Sequence, residues 1–146
     1  TEEIASKFAN GMEFFNTFGG NPVSCAIATQ VLRTVREEKL QENALSTGEF
    51  IKKELLQLGK RFPILGDIRG QGLFLGVELV DENLDPLAEQ ATYLVNRMKE
   101  FGILMSTDGP DHNVLKIKPP MIFTQDQGRE LIATLEIVLK EDFMQR

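Results

Sequence analysis

The sequence predicts an α/β fold: an α+β two-layer sandwich in which a mainly antiparallel sheet carries helices on one face. Three observations predict it. The hydrophobic period switches repeatedly between helical and alternating, glycine or proline marks each switch, and the elements run α, α, β, β, α, β, β, α with no repeat, low-complexity tract or long linker. At 146 residues, with 42% hydrophobic and 26% charged residues, the chain is long enough for one domain with its own core.

The elements follow in order. The opening residues "TEEIASKFANGMEFF" fit no layer of the sandwich and are expected to be the tail end of a preceding domain. In "FFNTFGGNPVSCA", Phe14 to Ala26, Gly19 and Gly20 adopt positive φ at low cost, Asn21 is a good N-cap, and Pro22 suits the first helical position because an N–H there is unbonded anyway. A tight turn therefore delivers Thr17 to a helix start. Two uses of that turn stay open: a capped turn and nothing more, or an anion site made of the hydroxyl and free amides. Val23, Ala26, Ile27, Val31, Leu32 and Val35 then recur at helical spacing as far as Lys39, with Cys25 expected to be a buried small hydrophobe among Ala26, Ile27 and Ala28. A second helix is expected from Asn43 to Lys60, with Ala44, Ile51, Leu55 and Leu58 on one stripe.

Pro63 ends that pattern, and "ILGDIRGQGLFLGVELV" alternates so that Leu73, Leu75, Val77 and Leu79 share one strand face. Gly70 and Gly72 are expected to make the turn or bulge before it. Asp85-Pro86 restarts a helix carrying Ala88, Ala91, Leu94, Val95 and Met98, and a short strand is expected at Ile103 to Met105. After a polar loop, "NVLKIKPPM" points Leu115 and Ile117 one way and Val114, Lys116 and Lys118 the other, until Pro119-Pro120 stops the ladder. Thr124 with Gln127 fits a capping box, which opens a last helix through Leu131, Ile132, Leu135, Val138 and Leu139.

Composition narrows function. With a net charge of −6 and scattered Lys and Arg, the chain is not expected to bind nucleic acid. No apolar run approaches membrane-spanning length, and no membrane partner is expected. The lone Cys25 excludes an internal disulfide framework and suits a reducing cytoplasm, with an organelle matrix as the second option. His112 is the only histidine, in "TDGPDHNV", so neither a histidine metal cluster nor a Ser-His-Asp triad can be assembled, and no metal or catalytic residue is assigned. Asp67 and Glu78 flank the glycine turn as ordinary strand carboxylates. Arg69 in "DIRGQG" either pairs with Asp67 or caps carbonyls near the turn, a structural role that is preferred, or binds an anion. Lys116 and Lys118 are the sharper candidates: two ammonium groups on one face suit a carboxylate or phosphate, against the alternative of a solvated edge strand.

"FFNTFGGNPVSCAIATQVL", "GDIRGQGLFLGVEL" and "VLKIKPPMIFT", in this order, resemble the C-terminal part of class III aminotransferases, fold type I enzymes dependent on pyridoxal 5′-phosphate (PLP), over essentially the whole chain. The similarity points to the branch holding alanine–glyoxylate aminotransferase 2 and the phospho-lyases of phosphorylated amines. It implies a division into a strap from the large cofactor domain, residues 1–20, and a C-terminal small domain, residues 21–146. It implies that Thr17 crosses a homodimer interface to bond the phosphate of a cofactor held in the partner subunit. It implies that the residue before the I/F-x-P-P motif, here Lys116 where many relatives carry arginine, receives the anionic end of an amine or amino-acid substrate, with Lys118 beside it. The Schiff-base lysine of such enzymes precedes the segment matching Thr1 to Phe15, and Lys7 falls in a helical stretch after it. The chain is thus expected to work with the large PLP domain of the same enzyme, to hold no cofactor alone and to be inactive alone.

The competing class is a small non-catalytic module that senses amino acids, since a helix-covered sheet suits both. A cofactor strap is expected to be exposed and disordered without a partner, whereas the Thr17 turn of a sensor is expected to pack on its own core.

Overall fold

The computed structural model describes residues 1–145, which form two compact units, Thr1–Thr34 and Val35 onward. In the first, helix α1 (Glu2–Phe8) is capped by Thr1, whose hydroxyl accepts from the Ile4 amide. Helix α2 (Pro22–Glu37) starts in this unit as its sequence requires, with Asn21 Oδ1 accepting from the Ser24 amide at 2.8 Å and Pro22 first in the helix. No residue of α2 is buried. Cys25 is therefore exposed, not the buried hydrophobe its neighbours predict, because the stripe of Val23, Ile27 and Val31 around it is itself exposed.

The second unit holds the sandwich. Helix α3 (Leu40–Gly59) leads into strand β1 (Leu65–Gln71) and strand β2 (Phe74–Leu79), followed by helix α4 (Ala88–Glu100), strands β3 (Ser106–Asp108) and β4 (Val114–Ile117), and helix α5 (Gln125–Leu139). All three strand pairs are antiparallel in the order β1-β2-β4-β3. Alternation decides the faces. Leu75, Val77 and Leu79 of β2 and Leu115 and Ile117 of β4 are buried with Ile51, Leu55 and Leu58 of α3, Ala91, Leu94 and Met98 of α4, and Leu131, Leu135 and Val138 of α5. The opposite sheet face carries Gly76, Glu78, Val114 and Lys116, none of them buried.

The β1–β2 connection is a two-residue loop, since Gln71 pairs with Phe74, and Gly72 sits there at φ 55°. Gly70, at φ 130°, has its Cα against Phe74 O, where a Cβ would stand 2.1 Å from that oxygen. The predicted pairing of Arg69 holds: one guanidinium nitrogen donates to Asp67 Oδ2 at 2.5 Å and to Glu78 Oε2 at 2.6 Å. Thr124 and Gln127 form the capping box of α5. Asn113 is buried and stitches the end of β2, its Nδ2 donating to Leu79 O and its carbonyl accepting from the Leu79 amide, both at 2.9 Å.

Two expectations are corrected. The strand predicted at Ile103 to Met105 forms three residues later, at Ser106–Asp108. The Ile103 amide donates to Met98 O at 2.9 Å and Gly102 turns at φ 82°, so the residues after α4 are used in closing the helix before pairing begins. Strand β4 is not an edge strand, because β3 lies outside it. Lys116 therefore stands in the interior of the sheet's open face.

Candidate functional site

Register places Lys116 between Gly76 on β2 and Ser106 on β3. Gly76 has no side chain to hold the lysine from the β2 side. The diagonal residue on the other side does: Lys116 Nζ donates to Asp108 Oδ2 at 2.9 Å, and Asp108 Oδ1 accepts from the Gly109 amide at 2.9 Å. Those two donors, the Lys116 ammonium first, hold the Asp108 carboxyl below the usual carboxylate range.

Lys118 follows the last residue of β4, and its Nζ lies 5.9 Å from the centroid of the Phe74 ring. Among the described residues Lys118 forms no salt bridge. The two ammonium groups thus share a face, as alternation predicts, but not a contact: Lys116 is hydrogen-bonded to Asp108 on β3, whereas Lys118 lies over Phe74 on β2 and acts on Asp108 only through its charge. Both line a cleft of about 660 Å³ at the end of the sheet, with Leu104, Ser106, Pro119 and Glu130 among its walls. Asn43 fixes one rim, its Nδ2 donating to the carbonyls of Met121 at 2.7 Å and Phe123 at 3.0 Å.

The Thr17 turn is built by a residue that its spacing did not single out. Asn16 Oδ1 accepts from the amides of Phe18 at 3.2 Å and Gly19 at 3.0 Å, an Asx turn that takes these two amides out of any anion site. The Ser24 amide at the helix start is likewise taken by Asn21. The Thr17 hydroxyl is exposed and without a hydrogen-bond partner among the described residues. As a free O–H donor on a turn held by Asn16, it fits a phosphate oxygen.

Asn16, Phe74 and Asp108 are the site residues that sequence spacing did not reveal. Asn16 had a signal, being an Asx former two and three residues before its donors. Phe74 and Asp108 become neighbours of the lysines only through strand pairing. Among the described residues, no group of His, Cys, Asp and Glu is arranged to hold a metal ion, and no helix is long and apolar enough to cross a membrane.

A sheet covered by helices on one side, with Lys116 and Lys118 at one end of its open face, defines a small α/β domain. Comparison with known proteins gives it a family. Residues 1–139 match the model of aminotransferase class-III, and the chain belongs to that family. It is 46% identical over 136 residues to the alanine–glyoxylate aminotransferase 2-like protein of Drosophila melanogaster, covering 90% of this chain and 28% of that protein. It is 41% identical over 138 residues to a mitochondrial alanine–glyoxylate aminotransferase 2 homolog of Arabidopsis thaliana, covering 93% of this chain and 29% of that one. Among solved structures, a phospholyase from Arthrobacter in complex with phosphoethanolamine superposes with a TM-score of 0.89 at 38% identity, over 95% of this chain and 33% of that one. A PLP-bound amine transaminase is also among the structural neighbours. The chain thus spans about a third or less of the length of these relatives.

Proposed function

We propose that the chain is the C-terminal part of a PLP-dependent class III enzyme: a strap, residues 1–20, that carries Thr17 to the cofactor phosphate of a partner subunit in a homodimer, and a small domain, residues 21–146, that receives the substrate. PLP, when bound in the parent enzyme, supplies the electron sink for chemistry at an amine carbon. The residues of this chain bind and orient. Thr17 donates its hydroxyl hydrogen to a phosphate oxygen, and Lys116 and Lys118 hold the anionic end of the substrate at the mouth of the cleft. A lysine is a compact point charge without the bidentate fork that grips a carboxylate, so a phosphate-bearing amine suits the pair better than an α-amino acid. That similarity to a phospholyase holding phosphoethanolamine supports the same substrate class. Transamination is the second chemistry kept open, supported by the aminotransferase relatives. A mitochondrial relative supports the matrix as the compartment, beside the cytoplasm.

The single observation that carries the enzyme-part assignment is the exposure of the Thr17 turn. Phe14, Phe15 and Phe18 around it are 68%, 81% and 83% exposed, whereas an amino-acid sensor would bury them in its own core. Substitution of Lys116 in the full-length enzyme tests the substrate role. Losing a hydrogen bond to a charged group costs about 1.5–3 kcal/mol, so Lys116→Ala should lower kcat/KM for a phosphorylated amine roughly ten- to a hundred-fold, and Lys118→Ala by less. Lys116→Arg should favour an ordinary α-amino acid at the expense of the phosphorylated amine. Unchanged kinetics in Lys116→Ala for both substrates would reduce the lysines to a solvated sheet face.

A further inference from the structure

The cation proposed to meet the substrate is already matched by an anion. On the β2 side Lys116 faces Gly76, and the Glu78 carboxylate diagonal to it is taken by Arg69 at 2.6 Å, while Ser106 opposite it on β3 carries no charge. Among the described residues, Asp108 alone reaches its ammonium, at 2.9 Å. Nor does this carboxylate swing freely, because its second oxygen is tied to the Gly109 amide at 2.9 Å. The Lys116–Asp108 pair is therefore close to neutral at its own position, and any anion that touches Lys116 also comes close to Asp108.

Resting on the assignment of Lys116 to the substrate, we propose that Asp108 is a specificity-determining residue: it fixes the ammonium on the β3 side of the open face and sets the charge that the site accepts. Repulsion from Asp108 grows with the ligand's charge. At a separation of about 4 Å in water, one unit charge acting on another changes binding by about five-fold, so a dianion is penalised by roughly the square of that factor and a monoanion by the factor itself. Salt and larger separations reduce both while keeping the order. Asp108 thus narrows the preference that two lysines alone would have for doubly charged ends, and keeps singly charged carboxylates competitive.

The test uses the full-length holoenzyme, with its own cofactor bound, and competitive inhibition at constant ionic strength by sulfate, a dianion, and acetate, a monoanion. Asp108→Asn is expected to tighten sulfate about ten-fold and acetate about three-fold, which shifts their ratio about three-fold. Asp108→Glu should restore the original ratio, and Asp108→Ser should reproduce that of the asparagine variant. The Asp108 side chain is 61% exposed, so these changes fall on the surface and leave the core intact. Lys116→Ala should weaken both anions. If Lys116→Ala weakens both while Asp108→Asn leaves the sulfate-to-acetate ratio unchanged, Asp108 has no part in specificity and the substrate role of Lys116 stands. If Lys116→Ala affects neither anion, both assignments fall together.

Discussion

Gly48 stands inside α3 where the helix passes beneath the β1–β2 loop, and alanine at that position should destabilise the fold. A Cβ on Gly48 would lie 1.9 Å from Gly72 O, 2.2 Å from Gly72 C and 2.7 Å from its Cα, all backbone atoms that no rotamer change can move. Restoring ordinary contact requires a shift of about 1.5 Å between helix and loop. Gly72 closes a two-residue hairpin at φ 55°, so that shift disturbs the ladder beside it. Two terms oppose each other. Alanine gains about 1 kcal/mol over glycine in a helix interior, while forced overpacking costs about 1–3 kcal/mol, at its upper end when backbone must move. The net loss is about 2 kcal/mol, or roughly 8 °C in Tm for a unit of this size. The control is Gly59→Ala in the same helix, whose Cβ would meet nothing closer than 3.5 Å and should be neutral or gain up to about 1 kcal/mol. Urea and thermal melts of the two variants decide the matter. Equal or greater stability in Gly48→Ala would mean that the β1–β2 loop does not rest on α3.

Glu136 accepts from both terminal nitrogens of Arg61, at 2.7 and 2.8 Å, and pairs with Lys140, contacts that lower its carboxyl from 4.5 to about 2. A depressed acid contributes stability that is present above its unfolded pKa and lost as pH falls through the folded one, so Glu136→Gln should flatten the acid limb of a stability profile between about pH 4.5 and 2. A limb of unchanged slope would remove this pair from the acid response. Thr17→Val in the full-length enzyme keeps the side-chain shape and deletes the hydroxyl, and PLP titration followed by absorbance should show roughly a ten- to hundred-fold weaker dissociation constant. An unchanged constant would make the turn a capping device only.

Local chemistry was legible in the sequence and long-range partnership was not. Leu75, Val77 and Leu79 alternate because a pleated strand alternates, and all three are buried. The box of Thr124 and Gln127 and the cap by Asn21 need only neighbours three residues away, so spacing suffices to find them. The third strand was misplaced because apolar Ile103 and Met105 look like strand residues, while the helix end before them still claims the Ile103 amide. Cys25 failed for a different reason. An apolar stripe predicts a buried face only if something covers it, and composition around Cys25 says nothing about a cover.

The lysines mark the same boundary at the site itself. Alternation along "VLKIKPP" puts Lys116 and Lys118 on one face whatever sheet they join, and read from the sequence alone two like charges so placed call for one shared anion. Strand order changes that. With β2 on one side of β4 and β3 on the other, each long side chain finds a diagonal or cross-strand neighbour, Asp108 for Lys116 and Phe74 for Lys118. Beside Arg69, which is engaged by Asp67 and Glu78, the face therefore carries one lysine matched by a carboxylate and one without a salt bridge among the described residues, so the two lysines are not equivalent. A substrate held there should depend on both lysines unequally and respond to Asp108, a pattern that no arrangement of two equivalent cations would produce.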